Sequence, residues 1–61
     1  EEIVVVINSR KEAVSVEVPD TDAGTSYTAY CRNGRISVDG LGTLTGPVLT
    51  VGPQQALIAG R

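Results

Sequence analysis

The stretch IVVVINSRKEAVSVEVP, Ile3 to Pro19, holds two apolar runs of different kinds. Ile3 to Ile7 is a continuous run of β-branched residues, apolar on both faces of any extended strand. Val14, Val16 and Val18 alternate instead with Ser15 and Glu17. Alternation of that period is the mark of a strand with one buried face, since successive side chains point to opposite sides. A continuous β-branched run marks a strand covered on both sides. Both readings are β, and the rest of the chain agrees. No segment repeats apolar residues at helical spacing over three turns, and Gly, Pro, Asn and Asp cut the β-formers at short intervals.

Six strands are expected: Glu2 to Ile7, Ala13 to Val18, Ser26 to Arg32, Arg35 to Val38, Thr43 to Val51 and Gln54 to Ala59. The polar segment Asn8 to Glu12 is short enough to join the first two as a hairpin. Pro19 ends the second strand, because it has no N–H to give a ladder. Asn33-Gly34 predicts a two-residue type I′ turn, which needs φ > 0 at both positions. Arg32 and Arg35 then oppose each other. Gly46-Pro47 interrupts the fifth strand and implies a bulge or an edge. Six short strands do not make one stable flat sheet, so the expected fold is a small antiparallel β-sandwich or a partly open barrel.

Sixty-one residues give one domain, residues 1–61, at most. A chain of this size buries only about 60% of its unfolded surface and is marginal alone. Cys31 has no second cysteine to bond, and the absence of histidine disfavours a structural zinc site. A first residue other than Met suggests a fragment of a longer chain. The marginal core further suggests a domain that leans on a parent protein or on a second copy.

The net charge is −2, and Arg10, Lys11, Arg32, Arg35 and Arg61 form no long basic run. That pattern argues against tracking nucleic-acid phosphates, and two tyrosines without Trp or Phe make a poor base-stacking platform. No apolar run approaches the ~20 residues of a membrane-spanning helix.

Chemistry is sparse. Without histidine there is no imidazole base for a Ser or Cys nucleophile. Cys31 alternates with Tyr27 and Ala29 and reads as a small core residue. Asp20, Asp22 and Asp39 lie in turns. The DTDAG segment echoes the start of a calcium loop but has Gly24 where a third oxygen ligand is needed, so Asx-type turns are the simpler account. Gly40 and Gly42 lack the third glycine and the helix of a dinucleotide site. Tyr27 and Tyr30 point to opposite faces, one into the core and one outward, where it offers half of a sugar-stacking platform. No catalytic, metal or cofactor residue is assigned.

Taken in order, these strands resemble the C-terminal β domain of alpha-amylase-type (TIM-barrel) glycoside hydrolases. The likeness lies in the apolar strand ending in Asn, the alternating strand ending in Pro, SYTAYC, NGRISVDG, and the closing pair TLTGPVLTVGPQQALIAG. The resemblance implies a non-catalytic accessory domain that packs on a catalytic barrel and stabilises it. The strand Ile3, Val4, Val5, Val6, Ile7 would supply the docking surface, with Ile58 beside Leu57 as a second candidate. Rival expectations are a carbohydrate-binding module using Tyr27 or Tyr30, a protein-interaction module, and a small inhibitor acting through Pro19 to Thr25. Alternation assigns Ile3, Val5 and Ile7 to the core and Val4 and Val6 to a neighbour, although the pattern is equally satisfied with the roles exchanged.

Overall fold

The computed structural model describes residues 2–61. Among them the chain forms seven β-strands and no helix: β1 (Ile3–Asn8), β2 (Val14–Glu17), β3 (Ser26–Arg32), β4 (Arg35–Ile36), β5 (Thr43–Thr45), β6 (Val48–Val51) and β7 (Gln55–Gly60). They make two antiparallel sheets that do not close into a barrel. The larger runs β1-β7-β3-β4, with β5 also paired to β3, and the smaller is β2-β6.

The expected first hairpin does not form. β1 pairs with β7 and β2 with β6, so the first two strands lie in different sheets. The physical reason is Asn8, whose side chain is almost wholly buried at 4% exposure. Its Nδ2 donates to the carbonyls of Glu12 and Gly52, at 2.8 and 2.9 Å, with a longer approach of 3.4 Å to that of Val51. Its Oδ1 accepts from the Arg10 amide at 2.9 Å, and the Gln54 amide donates to the Arg10 carbonyl. The first loop is thereby tied to the β6–β7 turn, and the chain leaves β1 toward the smaller sheet.

The expected fifth strand is two strands. Thr43–Thr45 pairs with β3 and Val48–Val51 with β2, so Gly46-Pro47, a cis peptide bond, is where the chain passes from one sheet to the other. The closing strand β7 sits between β1 and β3 and is, with β3, an interior strand of the larger sheet.

Between the sheets lie Val18, Tyr27, Leu49, Val51, Leu57 and Ala59, with Val4, Val6, Val14 and Leu44 packed against them. Val4 and Val6 face inward; Ile3, Val5 and Ile7 face out, the reverse of the assignment made from alternation. Asn8 shares the inner face of Val4 and Val6, and its buried hydrogen bonds set the phase of the strand. In β2, Val14 and Val16 share the side of Val51 and Leu49, as alternation requires. Val16 remains 36% exposed, because only one neighbour flanks this edge strand.

The β3–β4 hairpin turns at Asn33 (φ 54°) and Gly34 (φ 75°), with Arg32 opposite Arg35. Both central residues have the positive φ that a type I′ turn requires. A Cβ at Gly34 would meet no atom, so only backbone strain opposes a side chain there. Gly34→Val is expected to cost about 1 to 2 kcal/mol, read as a lowered denaturant midpoint. Asn8→Asp keeps the size but removes the Nδ2 donors and buries a charge. A loss of about 2 to 3 kcal/mol is expected in the same measurement, while an unchanged midpoint would remove Asn8 from its organising role.

Candidate docking face

The outer face of the larger sheet is built by register. Val5 pairs with Ile58, Ile58 with Cys31, and Cys31 with Ile36. An apolar row therefore crosses β1, β7, β3 and β4 in sequence. Ile3 and Ile7 flank it on β1 and Ala56 on β7. Val5, Ile7 and Ile36 are 58%, 77% and 80% exposed. One corner is polar instead: Ser26 pairs with Thr45 and Thr28 with Thr43, all four exposed. The paired positions on this face carry no charged side chain.

Cys31 joins this row because the β3–β7 register shifts between Ala29 and Cys31. Such a bulge resets the alternation of one strand relative to its neighbour. Cys31 is buried, as expected, but it lies outside the core cluster, in register with Ile58 rather than on the face of Tyr27 and Ala29. Its Sγ approaches the Ala56 carbonyl at 3.6 Å, within reach of a weak S–H donor.

The two tyrosines part company. Tyr27 is 1% exposed within the core, which rules out the sugar contact considered for it. Its hydroxyl is buried and finds no hydrogen-bond partner among the described residues, and the Arg61 guanidinium lies 5.8 Å from the ring centroid. Tyr30 is half-buried beside Gly60. A Cβ on Gly60 would stand 2.9 Å from Ile3 Cδ1 and 3.1 Å from Tyr30 Cε2, so this glycine gives both side chains their seat against β7.

The remaining candidates serve the backbone. Asp22 Oδ1 accepts from the Gly24 amide at 2.8 Å, and Thr25 Oγ1 accepts from the Asp22 amide, an Asx-type turn closed on itself. Asp20 occupies the left-handed region at φ 59°, which Asp tolerates better than most residues. Glu2 and Arg61 exchange both backbone hydrogen bonds. Their side chains also pair, Arg61 Nε to Glu2 Oε1 at 2.7 Å, and this hydrogen bond raises the Arg61 pKa further.

A cavity beside Arg32, Leu44, Gln55 and Leu57 holds about 40 Å³, against the roughly 300 to 1,000 Å³ of small-molecule sites. A wider hollow walled by Arg32, Asn33, Arg35 and Leu41 is open to solvent and has no aromatic wall.

No family model, curated protein or solved structure matches this chain.

The position of Cys31 is open to a chemical test. Labelling by a thiol reagent is expected to be at least about a hundredfold slower in buffer than in denaturant, since the thiol must wait for the sheet to open. Equal rates would place the thiol on an open surface.

Proposed function

We propose that this domain is a non-catalytic accessory module that docks through the outer face of its larger sheet onto an apolar surface of a larger body. The observation that carries the proposal is the row Val5–Ile58–Cys31–Ile36. It is contiguous, exposed at Val5 and Ile36, and flanked by no charged partner within the sheet. Contiguous apolar surface of this kind marks an interaction site when a small protein keeps it in water. The strand-by-strand resemblance supplies the candidate body, the catalytic barrel of a carbohydrate-active enzyme. On that reading the domain contributes packing area rather than reacting groups, and its polar side chains hold loops together.

The test has two parts. The reading frame around the encoding segment is determined, and its whole product is expressed with and without Ile36→Lys. Ile36 is 80% exposed, so the substitution is expected to change the isolated domain by less than about 0.5 kcal/mol. In the whole product the melting temperature is expected to fall, because a charge is then trapped in the interface. A reading frame with no second folded body, or an unchanged whole product, would overturn the proposal. Retention on insoluble polysaccharide that is lost in Tyr30→Ala would overturn it in favour of a sugar-binding module.

A further inference from the structure

The long edge of the sandwich differs from the face just described. β1 is the outermost strand of the larger sheet, with β7 on one side only. Glu2 and Arg61 exchange backbone hydrogen bonds in both directions, at 2.8 and 2.9 Å. In an antiparallel ladder such pairs alternate, so Val4 and Val6 also turn their N–H and C=O groups toward β7. Ile3, Val5 and Ile7 turn theirs to the free edge. Natural sheets blunt such an edge with charge, proline, a bulge or brevity. β1 is six residues long, has no charge or proline, and keeps unbroken register with β7. The other strands with a free side are shorter, from two to four residues, and β2 and β4 carry Glu17 and Arg35.

The sequence of this edge reads the same in both directions: Ile3-Val4-Val5-Val6-Ile7 is symmetric about Val5. We propose that β1 pairs with β1 of a second copy of this chain, antiparallel, across a two-fold axis at Val5. Ile3 then opposes Ile7 of the second copy, and Val5 opposes Val5. Each of these pairs joins two residues whose backbone groups point outward, so every free donor and acceptor of Ile3, Val5 and Ile7 is used. A register slipped by one residue would set outward groups against inward ones and exchange the faces. A slip of two would leave an outward residue unpaired in each copy. The symmetric register also runs the inner row, Val4 and Val6, and the outer row, Ile3, Val5 and Ile7, onto their counterparts. Such an interface is isologous and closed, so association stops at two. It uses the edge and leaves the outer face open, and so stands independently of the docking proposal.

Sedimentation equilibrium on the 61-residue chain tests it, together with amide exchange followed residue by residue. A single strand pair lies at the weak end of specific interfaces, so concentrations from about 10 µM to about 1 mM are needed. The mass is expected to rise from 6.3 kDa to a plateau at twice that value. The amides of Ile3, Val5 and Ile7 should gain protection over the same range. Val5→Pro removes an outward N–H and spares the ladder to β7, so it should remain monomeric throughout with an unchanged melting curve. If that variant unfolds, Ile3→Pro at the first position of β1 replaces it and should weaken association at least tenfold. Ile36→Lys, on the face but away from the edge, should dimerise normally. A monomer at the highest concentration, growth beyond the dimer, or undiminished association in the folded proline variant would overturn the proposal.

Discussion

The structure depends on one buried amide. Asn8 stands at the end of β1, on the inner face, where a polar side chain is costly unless every group is satisfied. Its partners come from two places far apart in sequence, the first loop at Arg10 and Glu12 and the turn at Gly52. That arrangement fixes which way the chain leaves β1 and where β6 gives way to β7. It also holds β1 in phase, with Val4 and Val6 inside. In a domain with so few core side chains, a satisfied polar anchor does what additional apolar volume does elsewhere, selecting one arrangement from several of similar burial.

The all-β class, the faces of β2 and the turn at Asn33-Gly34 were legible in the sequence, because each rests on local chemistry. Alternation marks a face whatever the strand's partner, and Asn and Gly enter positive φ more cheaply than most residues. Beyond the β3–β4 hairpin, strand partners were not legible. Proximity along the chain favoured a β1–β2 hairpin, and nothing in Asn8 to Glu12 announces that the Asn8 side chain faces inward. The orientation of β1 was hidden for a related reason: a run symmetric about Val5 offers no pattern by which to tell its faces apart. The bulge before Cys31 was equally silent, and it moved that residue from the expected core to the opposite row. Gly46-Pro47 signalled an interruption, but an interruption reads the same whether a strand bends or passes to another sheet.

The candidate docking face was legible as a strand and not as a surface. The five residues of β1 stood out by composition, yet only three of them face outward, and their row is completed by Ile58, Cys31 and Ile36 from three other strands. Tyr27 illustrates the converse. Alternation put it and Tyr30 on opposite faces, one core and one outward, and the pairing of β3 with β5 and β7 placed Tyr27 in the interior. The two sheets thus divide the apolar residues between an interior that is barely sufficient and an exterior that is left uncovered.

The pairing of β1 with β7 also imposes an order of events. β3 can meet β4 and β5 across short spans of chain, while β1 must wait for the last strand of the fold to be present. Closing that span sacrifices most of the freedom of the intervening chain before any contact rewards it, which makes such topologies slow to fold for their size. During synthesis, the stickiest segment of this domain therefore emerges before the strand that shelters it. A chaperone or a neighbouring nascent chain meets β1 before β7 does.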